Sequence, residues 1–185
     1  MYQDITQPLR IAVVSDTHGY LDPRVAEVVA SCDIAVHAGD IIGKHVLDSL
    51  KPRTGHVVAV RGNNDIKAVW PEHEHATLLA LPHEDSLDLP GGQLVVLHGH
   101  HHWPYEDLHP RLRGEFSHAR TIIYGHSHNA VFDDEEEPWV INPGAGGRTN
   151  LKDGGPSCAV VEISEKKWSA ELVRFSAEVE CSSNI

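Results

Sequence analysis

Hydrophobic residues in this chain come in short bursts. Residues 10–15, 33–38, 56–61, 93–98 and 120–125 are apolar runs rich in β-branched side chains, and each is followed by Gly, Asp, Asn or His. Runs this short that stop at turn-forming residues predict buried strands. Between them, 22–31 predicts a helix with Asp22 as N-cap and Pro23 at the first position, and 43–50 predicts a second that stops before Pro52. Residues 105–118 form a polar helix candidate interrupted by Pro110. Strand and helix in alternation give a parallel-rich sheet. The second half differs: 130–134, 138–142, 157–164 and 167–175 read as hairpin strands, the last pair turning near Glu165-Lys166. The expectation is an α/β sandwich of two packed mixed sheets with helices outside. No repeat or linker interrupts it, so one domain over 1–185 is expected.

Chemistry-bearing residues sit where the apolar runs end. Asp16 and His18 follow Ile11-Ala12-Val13-Val14, and in an extended chain residues two apart project to the same side. Asp40 follows Ile34-Ala35-Val36, and its two oxygens could bridge two cations. Asn63 follows Val57-Val58-Ala59-Val60, His98 follows Leu94-Val95-Val96-Leu97, and His126 and His128 follow Thr121-Ile122-Ile123-Tyr124. These seven suffice for two ions that share one carboxylate and keep positions open for water. Imidazole and carboxylate without thiolate suit Mn, Fe, Zn, Ni or Co rather than Ca or a structural zinc.

The order of blocks Asp16-Thr17-His18, Gly39-Asp40, Gly62-Asn63-Asn64-Asp65, His98-Gly99-His100 and Gly125-His126-Ser127-His128 resembles the calcineurin-like metallophosphoesterase superfamily. Short length and the Ile141-Asn142-Pro143-Gly144 segment are most similar to its small bacterial and archaeal phosphodiesterase branch, which also contains the retromer subunit Vps29. The resemblance implies a four-layer sandwich, with Asp16, His18, Asp40 and His128 on one ion and Asp40, Asn63, His98 and His126 on the other. It favours His98 as ligand and leaves His100 near the substrate. It implies two divalent transition-metal ions, manganese first, with iron, nickel, zinc or cobalt as alternatives. Hydrolysis of a small phosphodiester by a hydroxide bridging those ions would follow. Where many members carry a histidine after the Gly-Asn pair, this chain has Asn64, which cannot protonate a leaving group; water, metal or His100 would have to serve. The alternatives are a phosphomonoesterase, a nucleotide pyrophosphohydrolase, or a non-catalytic Vps29-like protein-binding scaffold. Missing ligands would mark the scaffold, and none of the seven is missing.

A formal charge of −12 argues against broad nucleic-acid binding, although two divalent ions would restore positive charge where a phosphate docks. Cys32, Cys158 and Cys181 lack metal-type spacing and read as reduced thiols of a cytoplasmic protein. No segment approaches the roughly 18 apolar residues of a membrane span, so a soluble, unexported protein without a membrane partner is expected. Homo-oligomerisation is left open. Asp65 reads either as an N-cap for residues 66–69 or as a group orienting its neighbours. His73, His75, His83, His101 and His102 read as solvated, as does the acidic run Asp133 to Glu137. Gly144-Ala145-Gly146-Gly147-Arg148 is either a flexible loop or an anion-binding concavity to which Arg148 adds a bidentate phosphate contact. From Ser176 the tail is polar and expected to fray.

Overall fold

A computed structural model describes residues 8–102, 106–148 and 154–177. The first apolar run forms β1 (Leu9–Val14). It pairs in parallel with β2 (Ile34–His37), which pairs in parallel with β3 (His56–Ala59). On the other side of β1 lie two antiparallel strands, β9 (Ser157–Ile163) and β10 (Trp168–Arg174), so the sheet order is β10-β9-β1-β2-β3. The second sheet runs β4-β5-β6-β8-β7. Its parallel centre is β5 (Gly92–Leu97), β6 (Thr121–Ile123) and β8 (Trp139–Pro143), flanked by antiparallel β4 (Glu84–Leu89) and β7 (Ala130–Asp133).

The pleat explains why the central runs are apolar throughout. Ile11 and Val13 of β1 face Leu94, Val96, Ile123 and Ile141 of the other sheet, forming the core between the sheets. Ala12 and Val14 face outward, under Val25 and Val29 of α1 (Pro23–Ala30). On the far side, Val95, Leu97, Ile122 and Val140 are covered by Leu108 and Leu112 of α4 (Leu108–Glu115). Strands covered on both faces cannot alternate with polar residues. The layers are therefore helix, sheet, sheet, helix. Two short helices, α2 (Lys44–Ser49) and α3 (His75–Ala80), share a smaller cluster of Ile41, Val46, Trp70 and Leu78.

Asp22 caps α1 by accepting from the Arg24 N–H at 2.9 Å, with Pro23 at the first position. Several expectations need correction. Pro110 does not interrupt α4. It is the third residue, within the first turn, where the missing N–H has no helical partner. Residues 66–69 form turns rather than a helix, so Asp65 caps nothing there. Strand β4 and helix α3 went unpredicted. The edge strand buries only Leu87 and Leu89 against the core, and α3 buries only Leu78, leaving too few apolar positions for a period to show. The acidic run is not wholly solvated: Asp133 ends β7 and pairs with Arg113 at 2.6 Å and His109 at 2.5 Å. Among the described residues no helix is long and apolar enough to cross a membrane.

Candidate metal centre

All six parallel strands deliver their C-terminal ends to one side of the sandwich, where the two sheets bring their loops together. The expectation that Asp16 and His18 share a side by strand pleat does not hold, because β1 ends at Val14. Both residues instead take left-handed backbone conformations, φ 51° and 46°. Asp40 (55°), His126 (67°) and His128 (58°) do the same, so five of the seven candidate ligands occupy a region that non-glycine residues rarely adopt. The loops are held there by the backbone: Asp16 N–H donates to the Gly39 carbonyl and His18 N–H to the Asp40 carbonyl, each at 3.0 Å.

Two glycines allow the close approach. A Cβ on Gly62 would lie 2.2 Å from Asp40 Oδ1, and one on Gly125 would lie 2.0 Å from Ser15 Oγ and 2.8 Å from Asp16 Oδ2. Both positions exclude every side chain.

Two groups of ligand atoms result, each within 4.8 Å of one another: Asp16, His18 and His128, and Asp40, His98 and His126. Asp40 connects them. Its Oδ2 is 3.6 Å from His18 Nε2 and its Oδ1 is 3.4 Å from His98 Nε2. Asn63 Oδ1 joins the second group at 3.0 Å from His98 Nε2. All seven residues are thereby brought together.

The donor chemistry fits cations. His98 Nδ1 lies 2.7 Å from the Ala38 carbonyl, an acceptor only, so Nδ1 carries the proton and a neutral His98 presents its Nε2 lone pair inward. That lone pair faces Asp40 Oδ1 at 3.4 Å, Asn63 Oδ1 at 3.0 Å and Asp16 Oδ1 at 4.0 Å. Across the centre, His18 Nε2 and His128 Nε2 are 3.2 Å apart. Electron pairs converging in this way need positive charge between them. Without an ion a proton takes that role: burial pushes the His98 pKa down, but Asp40 and Asp16 outweigh it and the net shift is upward. Burial likewise pushes Asp40 up, yet hydrogen bonds from His98 and Asn64 hold its carboxyl below the usual range.

Asn64 donates to Asp40 twice, from its backbone N–H to Oδ1 at 2.8 Å and from Nδ2 to Oδ2 at 2.7 Å. His100 stands beside the second group, its ring centroid 5.3 Å from that of His98 and 6.1 Å from that of His126. Burial, then His101, His98 and His126, push its pKa down to about 4, so it is neutral at pH 7. His83, His100 and His101 also gather ligand atoms within 4.8 Å. There, however, an Arg61 guanidinium nitrogen sits 2.6 Å from His83 Nε2, placing fixed positive charge on the group.

The glycine-rich segment is not a flexible loop. Ala145, Gly146 and Gly147 are buried, with Gly146 N–H donating to the Ser15 carbonyl at 2.8 Å and its carbonyl accepting from Asp22 N–H at 3.0 Å. A Cβ on Gly147 would lie 2.4 Å from the Thr17 carbonyl oxygen, so the glycines admit the β1–α1 loop. Arg148 places its guanidinium 4.1 Å from the Tyr20 ring centroid.

Sequence reasoning missed the supporting layer. Asp65, fully buried, accepts from Ile41 N–H, Ile42 N–H, Gly62 N–H and the Trp70 indole N–H at 2.8–3.0 Å, tying the Asp40 loop to the Asn63 loop. Its orienting role was one of two expected. His37 was not singled out, sitting in an apolar run. Its Nδ1 accepts from Gly39 N–H at 3.2 Å, so Nε2 donates to Thr17 Oγ1 at 3.0 Å, and burial lowers its pKa. Asn142 donates to the Gly125 carbonyl at 2.8 Å and to Ser127 Oγ at 3.0 Å, fixing the loop that carries His126 and His128.

Two mixed sheets with carboxylates and imidazoles gathered at their strand ends form a candidate metal centre. The calcineurin-like phosphoesterase superfamily domain matches residues 9–166, and the chain belongs to that superfamily. A probable metallophosphoesterase of Methanocaldococcus jannaschii is 34% identical over 141 residues, covering 73% of this chain and 67% of that protein. A phosphodiesterase of the same organism is 24% identical over 177 residues, 89% of this chain and 99% of that one. Among solved structures, a Vps29 variant from Entamoeba histolytica superposes with a TM-score of 0.70 at 16% identity, covering 91% of this chain and all of that one. An archaeal phosphodiesterase gives 0.64 at 20% identity over 89% of this chain and all of that one. At those identities the structures attest the fold.

Proposed function

We propose that the protein is a dinuclear phosphodiesterase, with Asp16, His18, Asp40 and His128 holding one divalent ion and Asp40, Asn63, His98 and His126 the other. The observation that carries this reading is Asp40, whose two oxygens each face an imidazole of a different group, at 3.6 and 3.4 Å. Two such ions lower the pKa of water and neutralise phosphoryl oxygens. Manganese is the proposed metal, and the phosphodiesterase relative supports the diester.

The chain's own residues position the charge. Ala38 fixes the His98 tautomer, Asn64 fixes both oxygens of Asp40, and Ser15 and the His126 N–H fix Asp16 Oδ2 at 2.6 and 2.9 Å. What they do not supply is an acid. Asn64 has no proton to give, and a neutral His100 has none to spare. Protonation of the departing alcohol, typically worth about 10²–10⁴-fold, is therefore weak.

The test is a series of aryl and alkyl phosphodiesters and monoesters assayed with manganese-loaded protein under conditions where chemistry limits the rate. Diester turnover is expected, with log kcat falling steeply as leaving-group pKa rises and a flatter slope in Asn64→His. Absence of phosphoester turnover with any of Mn, Fe, Ni, Zn or Co would overturn the reading. Faster monoester turnover would favour the phosphomonoesterase alternative.

A further inference from the structure

A cavity of about 390 Å³ opens beside Asn63 and His100, on the flank of the second ligand group. Its walls combine two chemistries. Ile66 and Leu79 line it with unusually exposed apolar surface, 49% and 58% accessible, while Arg61 and Lys67 bring positive charge. Asp65 also borders it, but that carboxylate is committed to four N–H donors.

The two cations lack counter-charge. Among the described residues neither Arg61 nor Lys67 forms an ion pair with a carboxylate, as is also true of Lys51, Arg120, Arg148, Lys166, Lys167 and Arg174; of these, Arg61 and Lys67 line the cavity, in a chain of net charge −12. Arg61 is also held in place. Its backbone N–H donates to the Pro82 carbonyl at 2.8 Å and its guanidinium to His83 Nε2 at 2.6 Å. Burial together with Arg61 and His101 lowers the His83 pKa, which keeps that ring an acceptor. His100 also lines the cavity, and its Nδ1 is buried without a hydrogen-bond partner. A few polar groups converging on a partly apolar cavity of this size form a small-molecule site.

We propose that this cavity is the subsite for one substituent of the phosphoester, a group with an apolar body that carries its own anionic group, met by Arg61 and Lys67. The assignment rests on the phosphoesterase reading above. It deepens that reading by naming the substrate class: an ester that carries a second negative charge on one of its substituents.

Calorimetry with manganese-loaded protein tests it without turnover, using benzylphosphonate and 4-carboxybenzylphosphonate as probes. The carboxylated probe should bind about tenfold tighter, the scale of one charge-assisted contact. In Arg61→Gln the ratio of the two Kd values should shrink, and in Arg61→Gln/Lys67→Gln it should approach one. Equal affinities in the wild type, failure of both probes to bind, or a ratio unchanged in the double variant would overturn the subsite. Hydrolysis of 4-nitrophenyl diesters whose substituents bear no charge, run in parallel, separates the two failures. Turnover without charge preference removes the subsite alone, and absence of turnover removes the phosphoesterase reading.

Discussion

Replacing Asp65 by asparagine keeps the side chain's size, removes its charge and turns one acceptor oxygen into a donor NH₂. In the wild type Oδ1 takes the N–H groups of Ile41, Ile42 and Trp70, and Oδ2 takes that of Gly62 at 2.8 Å and shares that of Ile41 at 3.2 Å. The least damaging arrangement of the new amide leaves its oxygen toward the first three and turns its NH₂ against the Gly62 N–H, donor against donor. One charge-assisted bond of about 1.5–3 kcal/mol is lost, and a buried donor is stranded at about 1–3 kcal/mol. A net loss of about 3 kcal/mol corresponds, at roughly 2–4 °C per kcal/mol for this chain length, to a Tm lower by about 6–12 °C. Because the displaced loops carry Asp40 and Asn63, metal affinity of the Asp40 group should also fall about 10–100-fold. Scanning calorimetry of the metal-free protein and manganese titration of the folded protein read the two effects separately. A Tm within about 2 °C of wild type with unaltered manganese affinity would refute the role assigned to Asp65.

In Asp40→Asn both ions should be disturbed, read as metal per chain by elemental analysis after reconstitution, and full two-ion occupancy would exclude the shared carboxylate; His98→Ala should mainly empty the second group. Acid stability should depend on Asp133, whose pKa the Arg113 and His109 contacts lower to about 2. A carboxyl depressed in the folded state stabilises above its ordinary pKa and loses that contribution as pH falls through the folded value. The stabilisation is therefore complete above about pH 4 and disappears toward pH 2, and Asp133→Asn should cost about 1 kcal/mol at pH 7 in urea melts and nothing at pH 2. Cys32 and Cys158 are fully buried with their thiols pushed up, Cys158 to about 12. In a Cys181→Ser variant an aromatic disulfide reagent should find no fast-reacting thiol until denaturant is added, and the serine changes at all three cysteines should leave metal content intact.

Much of the sandwich is written in the sequence because its central strands are covered on both faces, and every residue from Ile11 to Val14 is therefore apolar. The elements that escaped notice, β4 and α3, bury two and one apolar side chains, too few for a period. The candidate ligands were legible for a different reason. Carboxylate and imidazole at the end of an apolar run is an unusual juxtaposition, and polar ligand types recur in this way on five strands. How those residues meet was not legible. Left-handed backbone at Asp16 and His18 carries no sequence mark, since Asp and His are ordinary turn residues as well. The work of His37 was hidden too, and that of Asp65 showed only as one of two readings, because a buried acceptor is recognised only by the donors that the fold brings to it.

Five candidate ligands with positive φ have a consequence for how such a chain can change over evolutionary time. A left-handed position costs roughly 1 kcal/mol for most side chains and almost nothing for glycine, with asparagine and aspartate close behind. Exchange of Asp16, His18, Asp40, His126 or His128 for glycine or asparagine would remove a metal contact while relaxing the backbone, whereas valine or isoleucine would strain it. At the histidines the loss of a candidate ligand is thus a downhill step for the loop, whereas at Asp16 and Asp40 glycine would strand the donors that those carboxylates accept.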